Sequence, residues 1–137
     1  RWVDAYPEGL RPKLVLGRYQ GERGWWQQRK LQPNIAVWGG EVAAARMTKY
    51  LQPQVVTLYI DQQALNSVLL ESRLKKDPHG DVEVLRRFWG PGEAFQNEDM
   101  VHPILVYADL IATGNQRNRE TARMIYERDI ARLVREN

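Results

Sequence analysis

The spacing of apolar positions changes several times along the chain, and each change marks an element. Trp2 to Tyr6 reads as the end of an element broken by Pro7 and Gly9. From Lys13 to Tyr19 the pattern alternates, with Leu14 and Leu16 on one side and Val15 on the other, which predicts a strand. A charged, glycine-containing turn, Gly21 to Gly24, follows. Trp25 to Leu31 then fits either a second strand or a short amphipathic stretch. Beyond Pro33-Asn34, Ile35 to Trp38 has the apolar density of a buried strand. Gly39-Gly40 releases the backbone, and Glu41 to Leu51, with its run of alanines, predicts a helix ended by Pro53.

The second half repeats this logic. Val55 to Ile60 is β-branched and apolar without a charge, as in a strand buried on both faces. Helical spacing returns over Gln62 to Arg73 through Leu65, Val68 and Leu69. The turn Asp77-Pro78-His79-Gly80 precedes a strand over Asp81 to Trp89, in which Val82 and Val84 alternate with Asp81 and Glu83. Gly90 to Met100 reads as a polar loop of about ten residues, long enough to carry function. Val101 to Ala112 is an apolar helix closed by Gly114, and Arg117 to Glu136 is an amphipathic helix. Together these elements predict an α/β fold of mixed α+β type. Its central mixed sheet has about four to five strands flanked by helices, and an antiparallel helix pair ends the chain. If its strands are parallel, the unit Ile35 to Ile60 is a right-handed crossover.

Length and composition bound the possibilities. A chain of 137 residues with 43% hydrophobic and 27% charged residues suits one globular domain, taken as residues 1–137. The absence of cysteine excludes disulfides, thiolate catalysis and cysteine zinc sites, and fits a reducing cytoplasm, the expected location. No apolar run approaches the ~20 residues that span a bilayer, and the start, Arg-Trp-Val-Asp, has no apolar stretch behind a basic end. It also lacks an initiator Met, so a piece of a longer protein is expected. The net charge is +3, and the basic excess sits in residues 1–49, which hold nine Lys/Arg against four Asp/Glu. That bias permits nucleic-acid contact without amounting to a polybasic footprint.

Several arrangements in the sequence could carry chemistry. Gly39-Gly40-Glu41 lies between a strand and a helix, where free N–H groups can take an anion. No Lys-Ser/Thr follows, however, and Glu41 puts a negative charge where a phosphate would sit. The preferred reading is a tight turn with Glu41 capping the helix. Asp61 is followed by Gln62 and Gln63 rather than by the second acid that nucleotidyl transfer needs. No Asp-x-Lys or Glu-x-Lys occurs, so a nuclease metal site is not expected. His79 reads as a turn residue and His102 as a helix-start residue, and Ser67 and Ser72 lack an elbow motif. No catalytic residue, metal or cofactor is expected.

Binding residues are easier to nominate. Trp25 and Trp26 lie among Arg18, Arg23, Arg29 and Lys30, an interleaving of aromatic faces and cations that can grip single-stranded nucleic acid. Such contact would be weak and salt-dependent. On a strand, at most one of the two indoles would be exposed. Between the last two predicted helices, Arg117, Arg119 and Glu120 open a helix whose dipole disfavours cations. An Asp109/Glu120–Arg cluster locking the two helices together is expected.

Four phrases stand in a recognisable order: Leu10-Arg11-Pro12-Lys13-Leu14; Gly39-Gly40-Glu41 before Ala43-Ala44-Ala45; Tyr107-Ala108-Asp109-Leu110; and Arg117 with Glu120-Thr121-Ala122. They resemble the AbiEi-type antitoxin and transcriptional-regulator family of type IV toxin–antitoxin systems over nearly the whole chain. The resemblance implies a non-enzymatic C-terminal domain. A winged helix that represses the operon usually precedes it in that family. The domain itself is needed to counter a nucleotidyltransferase-like toxin without a stable complex. Nothing in this sequence resembles the winged helix, so operator binding is not carried over. The resemblance singles out Arg11, Lys13, Glu41, Tyr107, Asp109, Arg117 and Glu120. The expected function is therefore regulation by binding, with no membrane involved. The alternatives are a degenerate or active restriction-endonuclease-like domain and a stand-alone nucleic-acid-binding module.

Overall fold

The computed structural model describes residues 6–90, 95–113 and 115–131. A π-helical turn, Tyr6–Leu10, runs into α1 (Arg11–Leu14) and β1 (Val15–Gln20). Then come α2 (Trp25–Gln28), β2 (Ala36–Gly39), α3 (Gly40–Thr48) and β3 (Val56–Ile60). A 3-10 turn, Gln62–Ala64, leads into α4 (Leu65–Glu71), followed by β4 (Lys75–Lys76) and β5 (Val82–Arg86). The hairpin β6 (Gln96–Asn97) and β7 (Met100–Val101) precedes α5 (Pro103–Thr113) and α6 (Gln116–Ile125), which continues as a wider π turn, Tyr126–Ile130.

The fold is the expected mixed α+β class, with more strands than the sequence pattern indicated. One seven-stranded mixed sheet runs β4-β1-β5-β3-β2-β7-β6. Three of its strands, β4, β6 and β7, are two residues long, too short to leave an alternation in the sequence. The expected loop from Gly90 to Met100 therefore contains a hairpin, with Glu98 left-handed at its turn (φ 57°). The start of that loop, residues 91–94, lies outside the described residues, as do Trp2 to Ala5, Gly114 and the tail of the last predicted helix.

One expectation about the first half is corrected, and two open points are resolved. The strand begins at Val15 rather than Lys13, because Pro12 sits in the first turn of a short helix, where its missing N–H costs no helical bond. Trp25 to Gln28 is helical, which resolves the open choice there. The Ile35–Ile60 unit is not a parallel crossover: β2 and β3 are antiparallel, with Gly39 opposite Thr57 and Ala36 opposite Ile60. Glu41, in the first turn of α3, accepts the backbone N–H of Gln54 at 2.9 Å, which ties the returning chain beside the point where β2 leaves the sheet. The parallel central pair is β3 with β5, which α4 connects.

β3 is buried along its whole length, and its alternation sorts two faces. Val56, Leu58 and Ile60 face one way, in register with Trp38 of β2 and Val84 of β5. Thr57 and Tyr59 face the other way. There Gly39, Thr57, Glu83 and Arg18 form one row across β2, β3, β5 and β1. The helices α3, α5 and α6 pack on one another, and α5 also meets β2 and the Tyr6–Leu10 turn. His102 begins α5 by accepting the Ile104 N–H on Nδ1 at 3.1 Å.

The packing gives a direct contrast between two leucines. Leu58 is fully buried, whereas Leu70 of α4 is 81% exposed. Leu58→Ala is expected to cost ~2–5 kcal/mol, and Leu70→Ala less than ~0.5 kcal/mol, in urea melts. Equal losses would contradict the assignment of these faces.

Candidate functional site

The polar row on β2, β3, β5 and β1 is the floor of a buried charge network. Thr57 donates its hydroxyl to Glu83 Oε1 at 2.7 Å. Above them, Arg11 of α1 donates Nη1 to Glu83 Oε2 at 3.3 Å, and its Nη2 also bonds Glu83. The same guanidinium donates Nε to Asp109 Oδ1 at 3.1 Å. Asp109, on α5, also accepts the Tyr59 hydroxyl at 2.7 Å and the Gly40 N–H at 3.2 Å. Tyr6 bonds the Tyr59 oxygen, and because Tyr59 has already given its proton to Asp109, Tyr6 is the donor.

One guanidinium thus serves two carboxylates in a water-poor site, with Arg18 lying 3.8 Å from Glu83 as a more distant second cation. Burial pushes the Asp109 carboxyl up from 3.8 to about 6, against the pull of Arg11 and the Tyr59 hydroxyl. Burial also raises both tyrosine phenols, with Asp109 adding to it. Burial opposes the charge on Arg11, but Asp109 and Glu83 outweigh it and hold the guanidinium above its usual value.

Asp109 also explains the pair of glycines. It places a carboxylate at the N-terminus of α3, where the helix offers its free N–H groups. A Cβ on Gly39 would lie 2.6 Å from the Tyr59 ring, and one on Gly40 would lie 2.5 Å from the Thr57 hydroxyl at a φ of 50°. The carboxylate at this helix start is thus that of Asp109, from α5. Glu41 does not cap its own helix, which corrects the sequence reading. Its carboxylate faces α6 and the loop before β3, accepting from Gln54 N, from Arg117 Nη2 at 3.2 Å and from Asn118 Nδ2 at 3.2 Å.

The expected Asp109–Arg cluster is likewise corrected. The winding of α5 turns Asp109 onto the sheet and Gly40, while the first turn of α6 packs on α3. Arg117 therefore meets Glu41 and the Gln52 carbonyl, at 2.5 Å, instead of Asp109. Arg119 and Glu120 are exposed, and among the described residues Glu120 accepts from Gln116 alone, at 3.5 Å. Tyr107 is half-buried against Tyr126, with centroids 5.8 Å apart. The charge balance expected for this helix start is real, but Glu41 supplies it.

The cations around the tryptophans do not converge. Arg11 is enclosed in the network, and Arg18 donates to the Gly80 carbonyl at 2.9 Å. Arg29 reaches Ser72 and Glu71, each at 3.1 Å. Lys13, Arg23 and Lys30 are exposed. Only Arg23 shares a cleft with Trp25 and Trp26. Trp25 packs on Trp38 at 5.8 Å, and both indoles of the pair are half-buried on their short helix.

Sequence reasoning passed over Glu83, Thr57, Tyr59 and Tyr6. Glu83 looked like the solvent side of an alternating strand, yet it is 8% exposed. A signal existed: a strand paired on both sides that carries an acid needs a buried cation, and Arg11 beside Pro12 was available.

These features define a mixed α+β domain whose buried acids join its elements. Among the described residues no group of three or more His, Cys, Asp or Glu could hold a metal ion, and no helix is long and apolar enough to cross a membrane. The family model described as transcriptional regulator, AbiEi antitoxin, type IV toxin–antitoxin system matches residues 1–131, and the chain belongs to that family. No curated protein and no solved structure matches the chain. Membership gives it a regulatory role in a type IV toxin–antitoxin system.

Two measurements probe the network. In double-mutant cycles followed by thermal melts, Arg11→Ala and Asp109→Ala are each expected to cost ~3–5 kcal/mol and to be strongly non-additive. Asp109→Ala and Arg117→Ala should instead add, since they belong to separate clusters. Coupling between Asp109 and Arg117 would reverse the assignment.

The second measurement is pH dependence. With its pKa raised from 3.8 to about 6, Asp109 holds a proton in the folded chain that the unfolded chain has already released. Its contribution to stability is full below the lower value and is lost as pH rises through the higher one. In urea melts over this range, the advantage of the wild type over Asp109→Asn should shrink with rising pH. An advantage that grows with pH would show that Arg11, and not burial, governs the carboxyl.

Proposed function

We propose that this chain is the non-enzymatic C-terminal regulatory domain of a longer cytoplasmic antitoxin, that a winged helix precedes it there, and that it acts by binding. It counters a nucleotidyltransferase-like toxin without forming a stable complex with it, and contacts nucleic acid weakly through exposed cations such as Lys13, Arg23 and Lys30. The observation that carries this reading is the use made of the buried acids. Glu41, Glu83 and Asp109 each accept from several internal donors, so the carboxylates that a hydrolase would aim at a metal are spent on holding helices to the sheet.

The electrostatic part has a defined signature. Anisotropy of labelled single-stranded and duplex oligonucleotides should report weak binding whose logarithm falls linearly with the logarithm of salt. The slope should be ~0.9 per neutralised phosphate for duplex and ~0.7 for single strands. Arg23→Ala with Lys30→Ala should flatten that slope. Tight binding that ignores salt would contradict the reading. So would Mg²⁺- or Mn²⁺-dependent cleavage that disappears in a folded Glu41→Gln variant.

A further inference from the structure

A cleft of about 520 Å³ opens where β1 ends and the parallel strands β3 and β5 begin. Trp25 and Trp26 form part of its wall, and the loop before β3 forms another part. Four neutral amides line it as well, those of Gln20, Gln27, Gln52 and Gln54. Two carboxylates, Glu22 and Asp81, also line it, against the single cation Arg23. Among the described residues neither carboxylate has a side-chain hydrogen bond or an ion pair, and both residues are exposed.

This lining is the wrong one for phosphate. Two unpaired carboxylates outnumber the one arginine, while Arg18 and Arg29 are turned onto internal acceptors and the exposed Lys30 does not line the cleft. It suits a flat, neutral group rich in N–H donors. Indole faces offer stacking surface to any planar ring. A glutamine amide presents a donor and an acceptor side by side, the pattern that pairs with adenine, and a carboxylate accepts from an exocyclic amine such as that of cytosine. Uracil, with no exocyclic amine, gives the carboxylates less to hold.

We infer that the Trp25–Trp26 cleft is a site for a nucleobase bearing an exocyclic amine, bound by stacking and by its hydrogen-bonding edge, with the phosphate excluded. This deepens the binding reading above by naming the part of a nucleotide that the cleft takes. The base comes either as a free nucleoside or as one unit of a single strand, and both present the same edge.

Titration calorimetry with adenosine, cytidine, guanosine and uridine tests it on the intact chain, with ribose, the corresponding 5′-monophosphates and a short single-stranded oligoadenylate as further probes. The amine-bearing nucleosides should bind saturably, with uridine and the monophosphates several-fold weaker and ribose inert. Asp81→Asn and Gln27→Ala, both at exposed positions, should weaken binding roughly tenfold, as losing a hydrogen bond to a charged or polar group does, without lowering the melting temperature. Oligoadenylate binding with the same sensitivity to both variants, and silence from the nucleosides, would assign the base to a strand. Tighter binding of monophosphates than nucleosides overturns the inference. So does equal binding of ribose, unaltered binding in both variants, or no binding by any probe. Salt-dependent oligonucleotide binding unaffected by Asp81→Asn would leave the electrostatic reading standing while removing this one.

Discussion

The position of one buried carboxylate, that of Asp109, governs the arrangement of the helices on this sheet. A fully buried acid needs donors, and Asp109 finds three from different parts of the chain: the Arg11 guanidinium, the Tyr59 hydroxyl and the Gly40 N–H. Satisfying it requires α1, β3, the start of α3 and α5 to be in place together. A hydrophobic contact at the same point would tolerate sliding, whereas these bonds do not. The network is costly to assemble and more costly to leave half-made, because any missing partner strands a charge away from water.

Glu41 plays the matching part on the next helix pair. Its carboxylate collects the start of α6 and the chain entering β3, beside the turn where β2 and β3 pair antiparallel. The two acids divide the work without sharing partners. Asp109 fastens helices to the polar face of the sheet, and Glu41 fastens the last helix to α3. This division also accounts for an arginine at the start of α6, a place where the helix dipole disfavours a cation until an acid stands beside it.

Of the residues that the family resemblance singles out, Arg11, Glu41, Asp109 and Arg117 all belong to these two clusters. Such positions hold the helices of the domain to its sheet and to one another. The recognition surface proposed for the domain lies elsewhere, around the Trp25–Trp26 cleft and the exposed basic positions of the first third.

Much of the fold class was legible without coordinates. β3 and α3 could be read from an uncharged β-branched run and from consecutive alanines, because local propensity and periodicity act over a few residues. The two-residue strands β4, β6 and β7 were not legible, since they exist only by pairing with distant partners. The candidate site divides in the same way. Arg11, Glu41, Asp109 and Arg117 stood out as residues, but the pairing was misjudged, and Glu41 was read as the cap of a helix start whose carboxylate is that of Asp109. Asp109 was matched to the cation nearest in sequence, Arg117, whereas its partner Arg11 lies 98 residues away. The chain by itself determined which segments become strands and helices, and that its buried acids must find donors. Which donor each acid finds was decided only by the tertiary structure, because the way α5 turns on the sheet sets what Asp109 faces, and no local pattern encodes that rotation.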